Sequence, residues 1–286
     1  MFSKAFERIF KGRQPAYANN NTRESCVCGQ IRRNIANNIF QVTNKETDLI
    51  YPKYYYKCRR CGSFSAVNIY FPQDKYEDNF QHLSVDDLKR RLAASRVEWL
   101  KSHAEIADDA IIFDLGAGEG AFAHALAEAF PRSQVYAVEA DERIGGKFYG
   151  QDPRVTFVPG FIDAFLNKQD RPSADLIILT DVLEHLIWPE EVLDQIVTAL
   201  SPRGLLYMTT PNARTFENDA PFPLPVRPSQ VDWPHANRTC QHIFMIEPSL
   251  LSHLVSGRLD IVAETDEFET SIRRDSVYST ILGRKR

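Results

Sequence analysis

The chain has no run of apolar residues near the ~20 needed to cross a bilayer as a helix, so a membrane-spanning helix is not expected. It also lacks the apolar centre of a secretory signal. Residues 1–13 interleave Phe2, Phe6, Ile9 and Phe10 with Lys4, Arg8, Lys11 and Arg13. They suit a short amphipathic helix or a frayed tail, with a membrane-surface contact as the alternative, and the expected compartment is the cytoplasm. There is no basic excess: 34 Lys and Arg stand against 38 Asp and Glu, a net charge of −4. Nucleic acid is therefore not expected as the main partner, because phosphate binding calls for a basic face. Without a secretory signal, stable disulfides are disfavoured. The 286 residues suit one large or two small domains with a substantial core.

What is present centres on residues 111–123: three apolar residues, Asp114, and then Gly116, Gly118 and Gly120 at every second position. A helical pattern follows through Leu126 and Ala127 to about Phe130. This predicts a buried strand, a glycine turn and a helix beginning under the turn. Glycine is expected there so that a ligand can lie on the backbone, close to N–H groups and the positive end of a helix dipole. A second strand, residues 134–140, ends near Glu139, and a carboxylate at that tip can accept hydrogen bonds from ribose hydroxyls. Two nucleoside cofactors fit, a dinucleotide or S-adenosylmethionine. The dinucleotide fingerprint G-x-G-x-x-G is absent; the glycines are spaced G-x-G-x-G.

The stretch Asp114-Leu115-Gly116-Ala117-Gly118-Glu119-Gly120 resembles motif I of the class I S-adenosylmethionine-dependent methyltransferases. Residues 175–186, with Asp181-Val182-Leu183-Glu184-His185, resemble the fourth strand and following signature of that family's small-molecule branch. Residues 201–212 resemble its turn and fifth strand, with Arg203 in place of a glycine. The resemblance covers about two-thirds of the chain. It implies a Rossmann-like, seven-stranded, mostly parallel α/β sheet closed by a C-terminal antiparallel hairpin, here residues 259–265 and 276–282. It also implies cofactor contacts from Asp114, Gly116, Ala117, Gly118, Gly120, Glu139 and Ala140. Past the third strand, residues 155–160, the family flanks the adenine; Phe161, Ile162 and Asp163 occupy that slot. Asp163 is either an adenine contact or the N-cap of the next helix. Strand four ends at Asp181, a further expected cofactor contact, since ligands collect at that end of open α/β sheets. Pro189 with Glu190 and Glu191 suits the first turn of a helix over 189–200.

Upstream, Cys26-Val27-Cys28-Gly29 and Cys58-Arg59-Arg60-Cys61-Gly62 form two glycine-followed cysteine pairs. Thiolates from two tight turns can converge on one Zn²⁺, and a set of four leaves no open position, so the metal would be structural. The glycines are expected to let the turn backbone donate N–H groups toward sulfur. Disulfides or ordinary buried thiols are the alternatives. Short strands are predicted at 38–42, 49–51 (ended by Pro52) and 64–70. The cysteine placement resembles the N-terminal zinc-binding module of some sugar C-methyltransferases and related polysaccharide-pathway enzymes. The expected division is a four-cysteine zinc-knuckle module in residues 1–80 and a catalytic domain in 81–286, entered by a helix with Ser84 as N-cap.

Residues 213–238 carry five prolines, Trp233 and His235, and read as a substrate lid. After it, residues 240–251 resemble a stretch that carries an active-site Glu-His pair in sugar C-methyltransferases. Here Gln241 replaces the acid and His242 remains, which favours deprotonating a hydroxyl over forming a carbanion. Cys240 beside it reads as a buried thiol. The candidate bases are His242, then His185, which could instead contact the methionine moiety or be structural. The expected activity is methyl transfer to a small-molecule acceptor, preferably a sugar hydroxyl in nucleotide-sugar or surface-polysaccharide synthesis. The rivals are a quinone or natural-product O-methyltransferase, a non-catalytic zinc-stapled module that binds a nucleotide or a partner, and a dinucleotide oxidoreductase.

Overall fold

The computed structural model describes residues 25–31, 39–43, 53–66, 85, 87–214, 229–232, 242–273 and 277–286. The amphipathic stretch 1–13, the strand at 49–51, residues 67–70, Ser84, most of the lid stretch, Cys240 and Gln241 lie outside them.

The main sheet has seven strands. Its parallel centre is β4 (Ile111–Leu115), β5 (Gln134–Glu139), β6 (Val155–Pro159), β7 (Ala174–Thr180) and β8 (Leu200–Pro211). At the far edge β12 (Tyr278–Arg284) inserts antiparallel between β8 and β11 (Asp260–Thr265), giving the order β11-β12-β8-β7-β4-β5-β6. The central strands are covered on both faces, which is why they read as unbroken apolar runs: Leu176, Ile177, Ile178 and Leu179 are wholly buried. Alternate residues serve opposite cores. Ile112, Leu176 and Ile178 pack under α1 (Asp87–His103), α2 (Ala121–Ala129) and α3 (Arg143–Phe148). Phe113, Leu115, Ile177 and Leu179 pack under α4 (Ile162–Leu166), α5 (Pro189–Ala199) and α6 (Pro248–Ser256). Each large side chain buried this way contributes about 1.5–3 kcal/mol against its exposed state.

A second sheet differs from the expectation. Its strands β1 (Ile39–Thr43), β2 (Lys53–Lys57) and β3 (Phe64–Ala66) come from the cysteine-bearing segment. It is completed by β9 (Ser229–Asp232), parallel to β1, and β10 (Phe244–Met245), antiparallel to β3, in the order β10-β3-β2-β1-β9. Residues 229–232 of the stretch read as a lid are therefore a sheet strand. Pro52 precedes strand β2. Val27 joins the main core with Phe244 and Ile246, so the cysteine segment is packed on the α4–α6 face. Among the described residues no helix is long and apolar enough to cross a membrane.

Candidate active site

The glycine turn lies at the carboxyl end of β4, as expected, but its glycines have separate causes. Gly116 adopts φ +77, and a Cβ there would come within 2.4 Å of Val182 Cγ2, so the close approach of the β7 loop excludes any side chain. Gly118, at φ +51, has nothing within 4 Å of its Cβ position, so its surface is the one open to a ligand. Four of the turn's N–H groups are engaged within the protein. The N–H groups of Gly116 and Ala117 both donate to Val138 O (2.8 and 3.0 Å), and that of Gly120 donates to Ala117 O (3.0 Å). Gly118 N–H donates to Glu139 Oε2 at 3.1 Å, while Glu139 Oε1 accepts from Asp141 N–H at 2.9 Å. The half-buried Glu139 thus braces the turn from the tip of β5. Lys89 on α1 pairs with Glu119 at 2.5 Å and draws the helix over the turn.

Asp114 is 2% exposed and accepts from Ala123 N–H, one of the donors left over at the start of α2. Burial pushes its carboxyl up to about 7, with Arg96 pulling the other way and Glu139 adding to the rise. The folded pKa lies above the ordinary value of 3.8, so between about pH 4 and 7 the folded chain holds a proton that the unfolded chain has released. Stability attributable to this group is present at low pH and lost as pH rises through about 7. Asp114→Asn, which keeps the shape and the acceptor oxygen, is expected to gain stability relative to wild type as pH rises from 5 to 8. A tenfold difference in proton affinity between folded and unfolded chain is worth about 1.4 kcal/mol, so the relative gain is of order a few kcal/mol. Thermal unfolding across that range checks it, and parallel curves for the two proteins would refute it.

At the end of β6, Phe161 is 71% exposed, an apolar ring standing open beside the tip of β5, and Ile162 is half-buried behind it. Phe161, not Asp163, is the cap residue of α4; Asp163 is exposed within the first turn of that helix, which corrects the N-cap alternative. Ala140 is exposed beside Glu139.

At the end of β7, Asp181 takes a left-handed φ of +55, a region an Asp tolerates, and turns the chain into a short 3₁₀ turn at Leu183–His185. Arg96 on α1 reaches Asp181 at 3.8 Å and holds the fully buried Glu269 of α7 (Phe268–Arg273) through two bonds, of 2.7 and 3.3 Å. Removing one partner of such a buried pair costs about 3–5 kcal/mol, so this contact locks α1 and α7 across the mouth.

Below Asp181 the two candidate bases meet. His185 and His242 pack edge to face, ring centroids 4.8 Å apart at 72°. His242 Nε2 is 3.7 Å from Oε1 of Glu184, whose side chain is wholly buried and whose Oε2 accepts from Thr210 Oγ1 at 2.9 Å. His242 is set by the small sheet: Tyr55 Oη donates to its carbonyl (2.7 Å), Ala66 N–H to Ile243 O (2.7 Å), and Ile243 N–H to Glu184 O (2.6 Å). Sequence reasoning assigned Glu184 no role. Its only signal was its place beside His185, since its partners Thr210 and His242 are distant in sequence.

The four cysteines also converge. Cys26 and Cys61 sulfurs are 3.6 Å apart, those of Cys28 and Cys58 3.7 Å, and all four lie within 4.8 Å of one another. A tetrahedron of sulfurs about 2.3 Å from zinc has edges of about 3.8 Å, so the set fits a zinc ion despite the short Cys26–Cys28 spacing. The sulfurs accept N–H groups from Cys28, Gln30 and Ser63. This is the expected pattern of turn N–H groups aimed at sulfur, while the glycines' own N–H groups close the turns on Cys26 O and Cys58 O, both at 2.9 Å. Ser63 Oγ further accepts from Glu247 N–H at 2.8 Å, fastening the knuckle to the start of α6.

Residues 79–258 match the family profile described as a methyltransferase domain. The malonyl-(acyl-carrier protein) O-methyltransferase of Halalkalibacterium halodurans is 29% identical over 140 residues, 46% of this chain and 51% of the relative. The chain thus spans about half the length of the curated relative it matches. The solved structure of the plantazolicin methyltransferase BpumL with SAH is 16% identical, covers 75% of this chain and 91% of its own, and gives a TM-score of 0.52. BpumL with a pentazolic desmethylPZN analog and SAH gives 0.53 at 14% identity, covering 75% and 92%. At such identities the likeness is one of fold.

Proposed function

We propose that this chain, which belongs to the class I S-adenosylmethionine-dependent methyltransferases, transfers a methyl group to a hydroxyl of a small-molecule acceptor in the cytoplasm, with a sugar hydroxyl preferred. The observation that carries the reading is the meeting of Glu184, His185 and His242 at the carboxyl end of β7, on the loop whose Val182 packs against Gly116 of the glycine turn. When bound, S-adenosylmethionine supplies a methyl already made electrophilic by its sulfonium. Gly118 gives it a face to lie on, Glu139 takes the ribose hydroxyls, and Phe161 and Ile162 wall the adenine, with Asp163 at the rim. Asp114 and Asp181 serve the methionine end. His242 takes the acceptor's proton, with His185 beside it. Transfer to oxygen is supported by the O-methyltransferase name of the curated relative, and the sugar by the cysteine module's resemblance. A natural-product hydroxyl is the second reading.

Cys26, Cys28, Cys58 and Cys61 hold a structural zinc in this proposal, which would supply a cross-link and no chemistry. The division stays at 1–80 and 81–286, with β9 and β10 lent by the larger part to the smaller sheet.

Calorimetry with S-adenosylmethionine, S-adenosylhomocysteine and NAD tests the reading. Wild type is expected to bind the first two, and Glu139→Ala to bind them about 1–3 kcal/mol more weakly, from lost hydrogen bonds to ribose and to Gly118. Binding of NAD alone would overturn the cofactor assignment.

A further inference from the structure

We propose that Glu184, His185 and His242 form a second metal site, one that takes a single divalent first-row transition ion and presents it to the acceptor hydroxyl. This deepens the methyltransferase reading and rests on it. Two imidazoles and a carboxylate offer ligand atoms within 4.8 Å of one another. Ligands about 2.1 Å from one ion stand roughly 3–3.5 Å apart, and the His242–Glu184 separation of 3.7 Å is already near that. The carboxylate of Glu184 is wholly buried, and a cation beside it offsets the desolvation cost of its charge. Its other oxygen is oriented by Thr210, as outer-shell partners orient metal ligands. Both main-chain ends of the cluster are pinned, by His185 N–H to Val182 O (2.9 Å) and by Tyr55 Oη to His242 O (2.7 Å).

Three protein ligands leave a position for an oxygen from solvent or substrate. With the ion bound, His242 acts as a ligand in place of the base, and an acceptor hydroxyl in the open position loses its proton to solvent, because the ion lowers the hydroxyl's pKa. The resulting alkoxide lone pair forms the new O–C bond, the C–S bond breaks with its electrons going to sulfur, and the metal keeps its oxidation state. The donor set separates this site from the cysteines, since thiolates select soft ions while imidazole with carboxylate accepts harder ones.

The test uses the full chain with zinc at the cysteines, titrated with Mn²⁺ and followed by electron paramagnetic resonance. Calorimetry with S-adenosylhomocysteine runs beside it. Wild type is expected to bind one Mn²⁺ per chain. Glu184→Gln and His242→Ala should each weaken it by more than about 100-fold, and the near-isosteric Thr210→Val by about 10–100-fold, with S-adenosylhomocysteine binding retained. If a ligand variant fails to fold, the Thr210→Val arm decides. No Mn²⁺ bound by a wild type that binds S-adenosylhomocysteine, or equal binding by wild type and variants, overturns the site. Mn²⁺ binding without S-adenosylhomocysteine binding would instead remove the methyltransferase reading beneath it.

Discussion

Replacing His242 with alanine is expected to lower kcat by roughly 10²–10⁴-fold while S-adenosylhomocysteine still binds. His242 is 9% exposed, its ring packed against His185 and near the buried Glu184, with its carbonyl held by Tyr55. Such a group costs conformational freedom to fix, and a part in activating the acceptor, as the proposed base or as a metal ligand, would account for that fixing. The fold should survive, because the bonds placing residue 242 go through its carbonyl and its neighbour's main chain, which alanine retains. His185→Ala should cost less, since His185 sits on the 3₁₀ turn outside those bonds. The measurement is S-adenosylhomocysteine release with any hydroxyl acceptor that turns over. An unchanged kcat for His242→Ala would remove the residue from the chemistry, and a raised KM alone would make it a binding group.

On the proposal that the four cysteines hold zinc, stripping that metal, or making Cys58→Ser, is expected to abolish turnover and leave cofactor binding largely intact. Binding of zinc to such sites is worth about 10–16 kcal/mol in apparent folding free energy. The segment that zinc would staple is small, and Cys26, Tyr56 and Cys58 pack together in it. Without the staple, β2 and β3 lose their anchor, and with them go Tyr55 and Ala66, the donors that position His242 and Ile243. Among the described residues, the glycine turn, Glu139 and Asp114 have their bonds elsewhere, around the larger sheet, so the cofactor end should persist. Elemental analysis, protease susceptibility of residues 25–66, calorimetry and turnover check it together. Full turnover by protein shown to be free of zinc would refute the coupling.

Much of this was legible in the sequence, for local reasons. Strands β4 and β7 announced themselves because a strand covered on both faces reads as an apolar run, as Ile111 to Phe113 and Leu176 to Leu179 do. Pro189 marked the start of α5, because its fixed φ and missing N–H suit only a first turn. The spacing of three glycines located the turn, and paired cysteines located the knuckle.

The tertiary structure decided what depends on partners far away in the chain. Gly116 is glycine because Val182 lies against it, and the turn's N–H groups are taken by Val138 and Glu139, neither visible in the motif. Strands β9 and β10 are too short to signal themselves, and they exist because β1 and β3 present open edges to them. Glu184 is buried because Thr210 and His242 arrive on other elements to meet it. Local pattern encodes which backbone a segment prefers. It does not encode which distant segment completes its hydrogen bonds, and the catalytic end of this molecule is assembled from those completions.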